Sequence, residues 1–118
     1  MIKDRLKELI KVKSASIAPA ELELVLREHP SVQDAVVVGR PDPEHGEVPV
    51  AYVVVIGTVA SHEVIDFVGA RVAIHKRLHS VRIIAGLPRS PSGKVQRRAI
   101  RDRERGAVEA RTRDERLP

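Results

Sequence analysis

Two runs of β-branched residues in the middle of the chain constrain its fold more than any other sequence feature. Ala35–Gly39 reads AVVVG, and Val48–Ile56 reads VPVAYVVVI. Short valine-rich runs bounded by turn residues are typical of buried β-strands. The polar segment between them begins with Arg40-Pro-Asp-Pro43, which favours a turn. The sequence therefore predicts two neighbouring strands joined by a polar loop.

Apolar residues at helical spacing predict about three helices around these strands. The expected elements are a helix from Pro19 that Pro30 stops, a helix capped by Ser61 that runs to about Ala73, a strand over Val81–Ile84 and a helix from about Val95. Residues 1–13 fit a helix or a strand equally well by periodicity. With 118 residues, the chain has room for one core, so we expect a single small α+β domain.

Composition excludes several classes of function. The formal net charge of +5 lies mostly in residues 94–118, which hold nine Lys and Arg against five Asp and Glu. Tyr52 and Phe67 are the aromatic residues, which disfavours a base-stacking platform for nucleic acid. The lack of cysteine excludes disulfides, Cys-ligated zinc and thiol nucleophiles. No apolar run is long enough for a membrane span, and we expect a cytoplasmic protein.

The histidines and carboxylates do not form a metal or catalytic pattern. His75 and His79 have i, i+4 spacing, but two cationic residues lie between them, so we expect no metal site. Asp42, Glu44 and Glu47 are more typical of a solvated turn than of a catalytic pair.

The segment Pro88–Lys94, PRSPSGK, has the composition of a loop that delivers a mobile positive charge to a phosphate. Lys94 follows a flexible glycine and precedes a basic helix. It is not a Walker-type phosphate loop, because Pro88 stands where the first glycine is required and Val95 follows the lysine. By itself the segment also fits an exposed turn with a solvated lysine.

Six segments in series resemble the C-terminal domain of AMP-forming acyl-CoA and aryl-CoA ligases, the superfamily that includes luciferases and peptide-synthetase adenylation domains. They are DRLKELIK at 4–11, IAPAELE at 17–23, HPSVQDAVVVGRPD at 29–42, GEVPVAY at 46–52, KRL at 76–78 and PRSPSGK at 88–94. The resemblance covers about residues 4–101. It implies an α+β fold with a small three-stranded mixed or antiparallel sheet plus an N-terminal β-hairpin, flanked by about three helices.

The resemblance implies that this chain is the mobile lid of a two-step enzyme. In that family a carboxylate attacks the α-phosphate of ATP, and a thiol, usually of coenzyme A, then displaces AMP. The large N-terminal domain, in the same or a separate chain, is the implied partner. ATP with Mg²⁺ and coenzyme A are expected to bind only together with that domain, so this chain alone is expected to be inactive. The implied substrate is a fatty acid or another carboxylic acid.

The resemblance also assigns roles to single residues. They are Lys94 for adenylation, Lys11 for the second half-reaction, Lys7 in a hinge near residues 4–8, and Gly93, Ser14 and Ala15 for substrate binding. Ser14 stands where the family usually has glycine, and His75 where it usually has tyrosine.

Residues 1–106 are expected to form the lid domain, and residues 107–118 a basic, flexible tail. The acids that interrupt the arginines of Arg97–Arg116, Glu104 among them, favour a solvated, salt-bridged segment. The alternative function is a free-standing, non-catalytic interaction module that binds a partner through this tail.

Overall fold

The computed structural model describes residues 9–94 and 96–116, and the side chains of these residues up to Gly106. The strands are β1 (Ile10–Val12), β2 (Ala15–Ile17), β3 (Val32–Asp42), β4 (Gly46–Val55) and β5 (Ser80–Ile83). The helices are α1 (Pro19–Arg27), α2 (Ser61–Gly69) and α3 (Arg97–Arg116), with a 3₁₀ turn at Ile74–Lys76. No helix within the described part of the chain has the length and apolar character needed to cross a bilayer.

The five strands form one mostly antiparallel sheet with β4 at its centre. β3 pairs with β4 over its whole length, from Asp42 opposite Gly46 to Val32 opposite Val55. The other edge of β4 pairs with β5 in parallel and with β1 in antiparallel orientation. β1 and β2 form the N-terminal hairpin. The expected α+β fold is confirmed, and the hairpin is joined to the three-stranded sheet.

The middle of the sheet is covered on both faces, which explains the consecutive apolar residues at Ala35–Gly39 of β3 and at 48–53 of β4. Val37 and Ala51 lie on one face, where they pack with residues of α1 and α2. Val36 and Tyr52 lie on the other face, where they pack with Ile100 of α3. Alternate residues of a strand point to opposite faces, so a strand buried on both sides needs apolar residues at every position.

Side chains of α1 occupy the outer edge of β3. The Glu23 carboxylate accepts a 2.9 Å hydrogen bond from the backbone N–H of Val37, and an Arg27 guanidinium nitrogen donates a 3.2 Å hydrogen bond to the carbonyl of Ala35. Glu23 is also bound by Arg97 of α3 at 2.6 Å. This buried carboxylate therefore connects both helices to the sheet.

The first turns of α3 are packed on the sheet, which corrects the interpretation of Glu104 as a solvated residue. The Glu104 side chain is fully buried. It accepts hydrogen bonds of 2.6 Å from the Tyr52 hydroxyl and of 2.6 and 3.0 Å from the Arg82 guanidinium, and Arg40 lies 3.7 Å away. We refer to these four residues as the Glu104 cluster. A buried carboxylate is tolerated here because its oxygens have cationic and hydroxyl partners.

Several predicted boundaries differ from the structure. α2 ends at Gly69 rather than near Ala73, and the residue at its N-cap is Ala60, so Ser61 is not the cap. The predicted polar loop before Val48 is mostly strand, because β3 and β4 extend to the residues on either side of a short turn at 43–45. α3 continues to Arg116, and the flexibility of residues 107–118 stays a prediction.

Candidate functional site

Lys94 lies at the end of a compact, exposed turn. The Gly93 N–H donates a 2.8 Å hydrogen bond to the Ser90 carbonyl, and the Ser90 N–H donates one of 2.8 Å to the Lys94 carbonyl. Gly93 has a φ of +89°, a conformation that side chains disfavour, which gives a physical reason for glycine here. The Lys94 residue is exposed. The turn therefore presents a solvent-accessible ammonium group on an ordered backbone.

One long-range contact connects this turn to the sheet. The Arg89 guanidinium donates a 2.8 Å hydrogen bond to the Gly93 carbonyl and forms an ion pair with Asp34 near the start of β3. Arg89 and Asp34 were not among the predicted site residues. Their spacing of 55 residues along the chain gives no local pattern by which to find them.

The hairpin of β1 and β2 carries the second group of predicted residues. Lys11 is exposed on β1, and its backbone N–H donates a 3.0 Å hydrogen bond to the Glu47 carboxylate. Lys13, in the hairpin turn, has a φ of +56°, while the backbone of Ser14 has an ordinary negative φ. The presence of serine at 14 thus introduces no backbone strain in this conformation. Ala15 begins β2.

The structure places the two lysines at opposite ends of the β3–β4 hairpin. The turn with Lys94 is anchored through Asp34, which lies opposite Val54, whereas Lys11 contacts Glu47, next to the Gly46 end of β4. Eight residues of β4 separate these ends, which is about 26 Å at the rise of a β-strand. The structure therefore does not bring Lys11 and Lys94 into one site.

Beside the Lys11 end lies a groove of about 510 Å³. Its lining includes Ser14, Ala15, His45, His75 and His79. Burial and the nearby Arg40 guanidinium lower the pKa of His79, which favours its neutral form. The exposed side chain of Ile74 gives the same groove an apolar wall.

The Asp42 carboxylate in the β3–β4 turn has structural partners. Asp42 accepts hydrogen bonds from the backbone N–H groups of Glu44 at 3.2 Å and His45 at 3.0 Å, as expected of a turn. A hydrogen bond with the His45 ring lowers the pKa of Asp42. Within the residues whose positions are described, no group of three or more His, Cys, Asp or Glu is arranged to hold a metal ion. Lys7 and the predicted hinge at 4–8 lie outside the described residues.

Comparison with known families and proteins gives one consistent result. Residues 21–94 match the family model described as AMP-binding enzyme C-terminal domain. The chain is 46% identical over 102 residues to a 4-coumarate–CoA ligase of Pinus taeda, covering 86% of this chain and 19% of that protein. It is 52% identical over 103 residues to a 4-coumarate–CoA ligase-like protein of Oryza sativa subsp. japonica, with the same shares of each chain.

The fold is similar to a domain of solved enzymes. The structure of a Mycobacterium tuberculosis fatty acyl CoA synthetase matches with a TM-score of 0.83 at 31% identity, covering 87% of this chain and 21% of that one. This chain thus spans about a fifth of the length of the proteins it matches.

Proposed function

The chain belongs to the family of AMP-binding enzyme C-terminal domains, and we propose that it is the mobile lid of an ATP-dependent, AMP-forming carboxylate–CoA ligase. The support is its 46% identity to a CoA ligase together with an exposed lysine on an ordered Pro-Ser-Gly-Lys turn. In this proposal the lid works with a large N-terminal domain and is inactive without it; that the chain matches 19% of the length of that relative supports the proposal. The proposed location is the cytoplasm.

In the first half-reaction, a substrate carboxylate oxygen attacks the α-phosphorus of ATP, and pyrophosphate leaves. Lys94 is the proposed catalytic residue of this step. Its ammonium group lies between the carboxylate and phosphate oxygens, where negative charge accumulates in the transition state. Loss of one such electrostatic contact typically lowers a rate by about 10²- to 10³-fold. Gly93 gives the turn the backbone freedom to close over the nucleotide.

In the second half-reaction, the thiol sulfur of coenzyme A attacks the acyl carbon, and AMP leaves. Rotation of the lid about a hinge at Lys7 presents the Lys11 end of the sheet, with Ser14 and Ala15 beside the thiol. The roughly 26 Å that separates the two ends of the hairpin supports this proposal, because one pose of the lid cannot bring both lysines to a single active site.

We propose that the lid contacts the phosphates of ATP and that the large domain binds the other ligands. The exposed lysine on the Gly93 turn suits the phosphates of ATP, while the described residues include no carboxylate cluster for Mg²⁺. We propose that the large domain holds Mg²⁺ and the acyl group. We propose a fatty acid or another acyl or aryl carboxylic acid as substrate; relatives with both kinds of name match this chain.

The experiment uses the lid joined to its large domain and measures the half-reactions separately. Lys94→Ala is expected to suppress ATP–pyrophosphate exchange while sparing thioester formation from preformed acyl-adenylate. Lys11→Ala is expected to have the opposite effect, and Arg105→Ala, at an exposed position of α3, is the matched control. Equal loss of both half-reactions in Lys94→Ala would contradict the assigned role.

A further inference from the structure

The turn that carries Lys94 is held by a fork of two nitrogen atoms from one side chain. Nη1 of Arg89 donates to the Gly93 carbonyl at 2.8 Å, and Nη2 pairs with the Asp34 carboxylate. The other hydrogen bonds described for the turn join residues that are close in sequence, such as Ser90 to Gly93 and Ser90 to Lys94. Arg89 therefore connects the turn directly to β3.

Asp34 is a firm anchor for this fork. It lies near the start of β3, its Oδ1 accepts a 2.9 Å hydrogen bond from the backbone N–H of Ala35, and Arg27 of α1 lies 3.7 Å from the same oxygen. Its side chain is 17% exposed, whereas that of Arg89 is 46% exposed. A continuous path thus runs from the sheet through Asp34 and Arg89 to the carbonyl next to Lys94.

We propose that Arg89 and Asp34 are positioning residues for the adenylation step. By fixing the Gly93 carbonyl, they orient the peptide plane between Gly93 and Lys94 and hence the direction in which the lysine side chain leaves the turn. This inference rests on the proposed role of Lys94. A lysine at 89 would keep the charge but cannot span both acceptors, because its ammonium group lacks the planar fork of a guanidinium.

A purely structural role would give a different result. Half-exposed ion pairs contribute little to folding stability, so removing this pair should leave the domain folded. Gly93, by contrast, has no side chain to restrict its backbone, so its carbonyl, and with it the peptide plane before Lys94, is held by the hydrogen bond from Arg89 in addition to the Ser90 hydrogen bonds within the turn. The pair should therefore affect the rate of one chemical step and not the melting temperature.

The first test uses the 118-residue chain without its partner. In Arg89→Gln and Asp34→Asn, solvent exchange of the Gly93 amide, measured by NMR, is expected to rise about threefold with an unchanged melting temperature. Arg105→Gln, which alters an exposed arginine of α3, is the control and should exchange at the wild-type rate. Unchanged Gly93 exchange in both variants would overturn the anchoring of the turn.

The second test measures turnover in the lid joined to its large domain. Arg89→Gln and Asp34→Asn are expected to lower kcat for ATP–pyrophosphate exchange about 10- to 100-fold with little change in KM for ATP, while thioester formation from preformed acyl-adenylate continues. Arg89→Lys should give an intermediate kcat. A normal kcat in these variants, with an inactive Lys94→Ala, would refute positioning and leave the proposed function intact. An active Lys94→Ala would instead refute the proposed function, and the amide exchange would still decide whether the turn is anchored.

Discussion

Tyr52 provides a direct test of the Glu104 cluster. Its hydroxyl donates a 2.6 Å hydrogen bond to the Glu104 carboxylate, and the residue is 2% exposed. Burial first, and then the hydrogen bond and negative charge of Glu104, raise the pKa of Tyr52 from 10.0 to about 12. Glu104→Gln removes the charge and leaves the burial, so the Tyr52 pKa is expected to fall and to stay above 10.

The raised pKa of Tyr52 makes the free energy of unfolding depend on pH, because titration and folding are linked. Two pKa units correspond to about 2.7 kcal/mol. Because the folded-state pKa is raised, this stabilisation is fully present below pH 10 and is lost as the pH rises through 12. Removal of one partner from a buried ion pair costs about 3–5 kcal/mol, and we expect about 3 for Glu104→Gln, since the Arg82 side chain is 29% exposed and can recover some hydration.

The assay is simple, because the chain has one tyrosine and no tryptophan. Absorbance of the tyrosinate anion near 295 nm is followed as the pH rises, with circular dichroism at each point to establish that the chain is folded. Urea unfolding gives the free energy of unfolding for wild type, Glu104→Gln and the control Asp102→Asn, which alters an exposed acid of α3. A wild-type midpoint near pH 10 in the folded chain would refute the reasoning.

Three further predictions concern folding, each measured by urea unfolding. Leu22→Ala should cost about 2–5 kcal/mol because Leu22 is fully buried, whereas Leu24→Ala, at a 64% exposed position of the same helix, should stay within about 0.5. Gly46→Ala should destabilise by about 1 kcal/mol or more, since its φ is +85° and a Cβ would lie 3.3 Å from a carbonyl oxygen, whereas Gly106→Ala in α3 should stabilise by up to about 1. Glu23→Ala should cost about 3 kcal/mol, as it removes the acceptor of the Val37 N–H and the ion pair with Arg97. The burial of Leu22 would be contradicted by an equal cost in both leucine variants. The strain at Gly46 would be contradicted by a Gly46→Ala variant as stable as wild type, and the Glu23 contacts by a loss below about 1 kcal/mol in Glu23→Ala.

Local signals in the sequence are strong enough to predict most of the elements. Ala35–Gly39 lies within β3 because a run of consecutive apolar residues fits a strand that is buried on both faces. Pro19 stands at the start of α1, where its missing N–H costs nothing. The prediction that Ser61 caps α2 was wrong, because Ala60 occupies the N-cap position and Ser61 is the first helical residue. A serine at the N-cap and a serine at the first helical position give the same sequence pattern.

Contacts between distant residues could not be predicted in this way. Glu104 has the same sequence surroundings as a solvated acid in a charged helix, and its burial depends on Tyr52, 52 residues earlier. Likewise, a local motif predicts the role of Lys94, while the Arg89–Asp34 pair that holds its turn has no such pattern. The site residues assigned by the resemblance stay a prediction, whereas the contacts that hold the Lys94 turn become visible only in the fold.

Side chains of α1 cover part of the outer edge of β3, where a strand from another molecule could otherwise pair. β3 contains AVVVG, an uncharged segment of high β-propensity of the kind that adds strands from other molecules when its edge is open. Its Val37 N–H and Ala35 carbonyl are already bound to Glu23 and Arg27. The carboxylate and the guanidinium therefore occupy backbone groups that an added strand would need, while the sheet keeps the valines that its core requires.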